Sequence, residues 1–339
     1  MTHQYLYVLM LIGALLGLSP CASAQLRFRP DGTFKIVQFT DMHFNGSTKS
    51  EPALDCIDKV LDAEKPDFVI LTGDIIYASP AKKMLTKVLE RLVKHNVPWA
   101  YEVGNHDGEH GSTNKELYDH ARTFKNSVMP AIPEGSDLDY VLTVYSHDGT
   151  KPAATLYCLD SHAYPKGFPQ DKSKGTYAWF SRSQVNWYAE QSAATTKANG
   201  RAPLPALAFF HIPLPEWHYA NADENSVFIG ERMEAACSPE FNSGIFTAML
   251  EGGDVMGMFV GHDHDNDYSV LYRGILLAYG RFSGGNTEYN HLPNGARVIV
   301  LKEGKRSFDT YIRERKSGNI VYPTTYPDSY VKGESPNNM

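Results

Sequence analysis

The sequence predicts an α/β protein in which two sheets pack face to face with helices outside. Three observations carry that reading. Short apolar runs alternate with amphipathic stretches at helical spacing through the first third of the chain. The second half repeats the habit with a hairpin pattern and several more apolar runs. A polar residue able to bind metal or phosphate follows most of these runs directly.

Phe34–Phe39 is the first strand-like run and ends at Thr40-Asp41. Ser50-Glu51-Pro52 has the form of a helix start, a cap followed by an early proline, and Leu54, Ile57, Val60 and Leu61 then make one apolar face. Pro66 closes that segment. Asp67–Leu71 is the next run and ends at Thr72-Gly73-Asp74. Ser79-Pro80 starts a second helix, with Leu85, Val88, Leu89 and Leu92 at helical spacing. Val97–Val103 is the third run and ends at Gly104-Asn105-His106-Asp107. A β-α-β-α-β order calls for a mainly parallel sheet with covering helices. Ligands in open α/β sheets bind beyond the carboxyl ends of the strands, so Asp41, Asp74 and Asn105 are expected on one edge.

Tyr140–Tyr145 and Ala154–Leu159 flank a His147-Asp148-Gly149 turn and read as a hairpin. Ser181–Ser192 reads as a helix, Leu204–Phe210 as a strand ending at His211, and Phe241–Leu250 as a helix. Val255–Val260 is a strand ending at Gly261-His262-Asp263-His264. Antiparallel-looking runs follow at Ile275–Tyr279, Ala296–Leu301 and Asp309–Ile312. The polar segment from Lys316 contains Pro323, Pro327 and Pro336 and is expected to lie over the surface or fray. The expected organisation is a leader over residues 1–24, one domain over 25–315 and a tail over 316–339.

The leader reading rests on Met1–Ala24, which holds no Asp, Glu, Lys or Arg. Leu6–Leu18 is too short to span a bilayer, and Ala22-Ser23-Ala24 is a small-x-small cleavage signal. A secretory signal peptide cleaved before Gln25 is therefore expected, with a periplasmic or secreted product and no stable membrane anchor. The 339 residues are 42% hydrophobic and 21% charged, which excludes disordered, collagen-like and coiled-coil classes. A net charge of −7 without a Lys/Arg block argues against binding a nucleic-acid polymer. Cys56, Cys158 and Cys237 are scattered beyond the leader and form neither a disulfide framework nor a zinc knuckle. Cys56 and Cys158 fall on apolar faces and read as buried thiols.

Taken together, Asp41-x-His43, Gly73-Asp74, Gly104-Asn105-His106-Asp107, His211 and Gly261-His262-x-His264 gather imidazoles, carboxylates and one amide oxygen. That set suits Mn, Zn or Fe and does not favour Ca²⁺, which prefers all-oxygen shells. The glycines are expected to leave room for metal and phosphate beside the backbone. A single Asp or His in such a place is ordinarily a turn or core residue; the ordered series is what carries the reading.

In these blocks the chain resembles the calcineurin-like metallophosphoesterases, from about Lys35 to Arg313. His211-Ile212-Pro213-Leu214-Pro215-Glu216 and the run Gly261–Tyr268, followed by Tyr279-Gly280-Arg281, are similar to a branch of fungal phosphoesterases and plant probable inactive purple acid phosphatases. The resemblance implies a four-layer αββα sandwich with two mixed sheets and a dinuclear metal site at the strand ends. It implies one divalent ion on Asp41, His43, Asp74 and His264 and a second on Asp74, Asn105, His211 and His262, with Asp74 shared. His106 would contact the phosphate or leaving group, oriented by Asp107. Two divalent ions bring +4 and two carboxylates −2, so a site at about +2 can receive a phosphate dianion inside an acidic protein. The implied activity is hydrolysis of a small phosphoester, a phosphomonoester first, by a metal-bridging hydroxide. A phosphodiesterase on a nucleotide or lipid headgroup, or a silent metal-binding protein, is the alternative.

Gly73-Asp74-x-x-Tyr77 also matches the purple acid phosphatase pattern, whose tyrosine binds ferric iron. Because the Asp-x-His block is intact, His43 reads as the ligand and Tyr77 as packing beside it. His162 follows a strand and is a candidate for the cleft, with His218, Trp217, Arg281 and Glu216 as candidate substrate contacts. His110, His120 and His147 lack such context.

Overall fold

The computed structural model describes residues 25–165 and 177–331. The expected leader over residues 1–24 and part of the loop after Asp160 lie outside the described residues. β1 (Thr33–Phe39), α1 (Glu51–Glu64), β2 (Phe68–Thr72), α2 (Ala81–His95) and β3 (Trp99–Glu102) form the expected alternating unit. Its three strands pair in parallel. α1 buries Leu54, Ile57, Val60 and Leu61, as its spacing requires. It stops at Lys65, whose left-handed backbone (φ 47°) returns its N–H to the Leu61 carbonyl just before Pro66. α2 buries Leu85, Val88, Leu89 and Leu92 on one face.

α3 (Asn114–Arg122) follows and has no counterpart in the sequence reading. Its signal was present: Thr113 and Glu116 close a reciprocal capping box. β4 (Tyr140–Tyr145) and β5 (Pro152–Cys158) form the expected hairpin. α4 (Arg182–Ala198) starts at the Ser181 cap and runs beyond Ser192. Next come β6 (Ala206–Phe209), the short α5 (Glu216–Ala222) and β7 (Phe228–Ile229), the last two unanticipated. α6 (Ile245–Gly252) begins later than expected because Gly244 holds φ 84°, outside the right-handed helical region.

β8 (Val255–Val260), β9 (Ser269–Tyr272) and β10 (Ile275–Tyr279) complete the second sheet. β9 and β10 meet at Arg273-Gly274, both with positive φ, the geometry of a tight hairpin turn. β10 runs parallel to β8, so only its β9 side is antiparallel. β11 (Gly295–Lys302), β12 (Phe308–Glu314) and β13 (Ile320–Tyr326) return to the first sheet. The orders are β13-β12-β11-β1-β2-β3 and β4-β5-β6-β8-β10-β9-β7.

β13 corrects the expected tail from residue 316. It pairs antiparallel with β12, and Tyr326 stacks on Phe308 with ring centroids 4.9 Å apart. Pro323 is exposed and costs nothing there, because an edge strand has a side with no ladder to donate into.

The period of two in the second sheet fixes the layers. Leu156, Cys158, Leu207, Phe209, Leu276 and Ala278 face the first sheet. Tyr157, Ala206, Ala208, Ile275, Leu277 and Tyr279 belong to a separate cluster with Tyr188, Phe246 and Met249 from α4 and α6. Phe259 meets Phe308 across the sandwich at 5.9 Å, and Gln38 Nε2 donates to the Val260 carbonyl at 3.0 Å. The result is the four-layer αββα arrangement. Among the described residues no helix is long and apolar enough to cross a membrane.

Candidate metal centre

The ends of β1, β2, β3, β6 and β8 open on one edge, and the chain leaves each through a sharp turn. Asp41, His43, Asp74 and His262 have φ values of 51°, 42°, 52° and 79°. Left-handed backbone is uncommon for such residues and is held only where the surroundings over-determine it. Here the turns swing side chains back across the strand ends instead of away from them. Asp41, His43 and His264 bring ligand atoms within 4.8 Å of one another, and so do Asp74, His211 and His262, all six buried.

The two groups meet at Asp74. Its Oδ2 lies 3.1 Å from His211 Nε2 and 3.8 Å from His43 Nε2. His264 Nε2 is 3.7 Å from Asp41 Oδ1 and 3.1 Å from His43 Nε2. Asn105 Oδ1 is 3.1 Å from His211 Nε2. Two donors each about 2.1 Å from a shared ion stand about 3–4 Å apart, which matches these separations.

The far ends of the ligands are pinned. His211 Nδ1 donates to the Thr72 carbonyl at 2.8 Å and His264 Nδ1 to the Tyr289 carbonyl at 2.9 Å, so each turns Nε2 inward. Asp41 accepts the His262 N–H at 3.0 Å and the Thr40 hydroxyl at 2.8 Å. His262 Nε2 is buried with no hydrogen-bond partner. Burial keeps His262 and His43 neutral, with the His43 imidazole lowered to about 3. Burial also opposes charge on His211, but Asp74 and then Asp41 outweigh it and hold that imidazole at about 10. A cation at this position would exchange with that proton. An orphaned imidazole nitrogen, two sets of converging donors and a carboxylate standing between them all fit two divalent cations.

The glycines act differently from the sequence expectation. The space beside them is filled by ligand side chains, not left open. A Cβ on Gly73 would stand 2.5 Å from His211 Nδ1, and one on Gly261 would stand 1.9 Å from Thr40 Oγ1. On Gly104 it would stand 2.1 Å from Asp74 Oδ1 and 2.3 Å from the Asp74 backbone nitrogen. Gly104→Ala is therefore expected to push Asp74 out of place and weaken metal binding by about 10–100-fold, the usual cost of disturbing what orients a ligand. Metal analysis after dialysis checks this, with circular dichroism unchanged.

Asp107 does not orient His106. Its buried carboxylate accepts the N–H groups of Asp74, Ile75, Ile76 and Gly104 at 2.8–3.1 Å and staples the turn after β2 to the turn after β3. His106 instead pairs through Nδ1 with Glu109 Oε2 at 2.8 Å. His106 precedes a single 3₁₀ turn, Asp107–Glu109, and in that geometry positions three apart eclipse, which places Glu109 over His106. Burial pulls the His106 pKa down, but Asp74 and Glu109 raise it overall. Its backbone N–H donates to Asp74 Oδ1 at 2.8 Å.

Tyr77 presents its ring to His43, His106 and His110 at 5.6, 5.2 and 4.8 Å between centroids. Arg281 is not a substrate contact, because it is buried against Asp267 and the Pro293 carbonyl. Glu216 is buried on Asn242, and Trp217 is fully buried, while His218 is exposed on α5. His120 bonds Thr86 and His147 bonds Glu303, both away from the centre. Cys56 and Cys158 are buried thiols as expected, and Cys237 is exposed and unpaired. Sequence reasoning missed Glu109, Thr72 and Tyr289, whose ring also stacks on His264 at 4.5 Å. Glu109 three residues after His106 was a readable signal; a backbone carbonyl as partner leaves none.

The family model for calcineurin-like phosphoesterases matches residues 34–266, most of the chain and all the ligands above. The chain belongs to the calcineurin-like phosphoesterases. "Probable inactive purple acid phosphatase 14" of Arabidopsis thaliana is 31% identical, over 82% of this chain and 77% of that one. "Phosphatase DCR2" of Saccharomyces cerevisiae is 28% identical over 93% of this chain, which spans 59% of the yeast protein. A dimetal phosphatase from Danio rerio shares the fold at a TM-score of 0.59 and 14% identity, covering 86% of this chain and 98% of that one. As a calcineurin-like phosphoesterase the chain has a plausible dinuclear site, and the family implies a phosphoester substrate.

Proposed function

We propose that the protein is an exported hydrolase of phosphomonoesters that works with two divalent metal ions, Mn, Zn or Fe. One observation carries the reading: two buried donor triads, Asp41-His43-His264 and Asp74-His211-His262, adjoin at Asp74, whose Oδ2 lies 3.1 Å from His211 and 3.8 Å from His43, and among the described residues no lysine or arginine pairs with these carboxylates. Asp41, His43, Asp74 and His264 would hold one ion, and Asp74, Asn105, His211 and His262 the other. When bound, such ions lower the pKa of water toward neutrality and stabilise charge on the phosphoryl oxygens.

The chain's own residues do the rest. Asp74 fixes the two positions relative to each other and anchors the His106 backbone. His106, partly exposed at the mouth, can carry a proton to the departing oxygen while Glu109 holds its Nδ1. Export rests on the leader pattern of residues 1–24, and a periplasmic or secreted location follows from it.

The test is a metal analysis of natively purified protein together with turnover of an aryl phosphomonoester and a bis-aryl phosphodiester. Two ions per chain, faster monoester turnover and loss of both activities on chelation are expected. Faster diester turnover would make it a phosphodiesterase. Two tightly held ions with no turnover of either ester would give the silent reading, which matches the word "inactive" in the plant relatives' names. Full activity without metal would end the hydrolase mechanism.

A further inference from the structure

Beside the metal centre lies a cavity of about 600 Å³, within the size range of small-molecule sites. It is built from the turn after β5, the segment leading to Ser181, the loop before β4 and the start of α3. One of its residues is tied to the metal-binding turn: Asn114 Nδ2 donates to the Gly104 carbonyl at 3.5 Å. The cavity therefore adjoins the turn that carries Asn105 and His106, and a phosphoryl group held at the metals can set its leaving group into this space.

The lining has a definite chemistry. Tyr164 and Trp179 offer aromatic surface, and Leu138 and Ala178 extend the apolar wall. Asp137 and Asp160 supply carboxylates, and Ser136 and Thr113 supply hydroxyls. Asp137 is half-buried, accepts from the Ser181 hydroxyl at 3.4 Å and stands 3.8 Å from His162 Nε2. The His162 nitrogen itself is spent on Gln184 Oε1 at 2.8 Å. Lys115, the cationic side chain of the lining, is held by Asp119 at 2.5 Å.

We propose that this cavity holds the leaving group of the substrate, and that the leaving group is a sugar. The inference rests on the hydrolase reading above. Carboxylates accept from sugar hydroxyls, and aromatic surface covers the apolar face of the ring. A second phosphate is disfavoured by the described lining, because its carboxylates face it and Lys115, the one ammonium group among the described lining residues, is already paired. A quaternary ammonium alcohol suits the charges but leaves most of the volume empty.

The experiment compares kcat/KM for a hexose 6-phosphate, methyl phosphate and phosphocholine, in the metal-loaded wild type, Asp137→Ala and Ser136→Phe. Asp137 and the exposed Ser136 hold no place in the metal centre, and methyl phosphate shares the alkyl leaving-group type. The wild type is expected to prefer the hexose phosphate. Both variants should lose about 10–100-fold on it, mainly through KM, the range for a hydrogen bond to a charged group. Methyl phosphate turnover should stay within about twofold of wild type. Equal losses on both esters, no wild-type preference, or a preference for phosphocholine would overturn the proposal. If the wild type hydrolyses no phosphoester, the hydrolase reading falls separately. Calorimetry with a hexose 6-phosphonate then decides the cavity: binding that Asp137→Ala weakens sustains it, and unchanged or absent binding refutes it.

Discussion

Asp74→Asn is expected to strip both metal positions and lower kcat/KM by about 10³–10⁵, since the two ions together stabilise the transition state by several kcal/mol. The substitution is isosteric, so the amide can keep the acceptor at Oδ1 that holds the His106 N–H. What it removes is the charge at Oδ2, the atom that faces His211 and His43 at 3.1 and 3.8 Å. The site then sets one carboxylate, Asp41, against two divalent ions. Repulsion between those ions is no longer offset in a buried, weakly screened position. Asp41→Asn makes the comparison, because in the assignment proposed above Asp41 holds one ion and Asp74 both. Metal analysis should find about one ion retained in that variant and fewer in Asp74→Asn, at unchanged circular dichroism. Two ions retained in Asp74→Asn would show that the carboxylate does not join the positions.

What the sequence disclosed about this centre depended on distance along the chain. Asp41 and Asp74 follow neighbouring strands of one sheet and His211 and His262 neighbouring strands of the other, and parallel strands share a carboxyl edge, so the convergence within each pair was readable without coordinates, while the meeting of the two edges rested on the resemblance. The orientation of neighbours was not. Asp107 adjoins His106 in sequence, yet points back into the backbone amides, and Glu109 takes its place because of one 3₁₀ turn. Arg281 was a candidate substrate contact from the sequence. Only the fold shows it spent on Asp267 inside the protein. β13 was hidden because prolines mark breaks in an unfolded reading, and whether a proline meets a ladder or an open edge is a property of the assembled sheet. The glycines were noticed for the right positions and the wrong cause. Gly104 and Gly261 make way for the protein's own carboxylates and hydroxyl.

His106→Ala separates the metal centre from proton transfer. The backbone N–H that binds Asp74 Oδ1 survives the substitution, so both ions should be retained. The imidazole is what is lost. Glu109 fixes its Nδ1 and helps raise its pKa, which leaves Nε2 to deliver a proton as the ester bond breaks. Such assistance is stronger in the transition state than in the ground state and is typically worth about 10²–10⁴ in rate. We expect a kcat loss of that size on an alkyl phosphate, whose departing alkoxide needs the proton. The loss should be much smaller on a nitrophenyl phosphate, which departs without one. Glu109→Gln keeps an acceptor but not the charge, and should cost up to about tenfold on the alkyl ester. In a His106→Ala background it should cost nothing further, because its effect passes through the imidazole. Equal losses on both esters would reassign His106 to binding phosphate oxygens. Loss of an ion would place it among the ligands, and Asp74 would then need a different anchor.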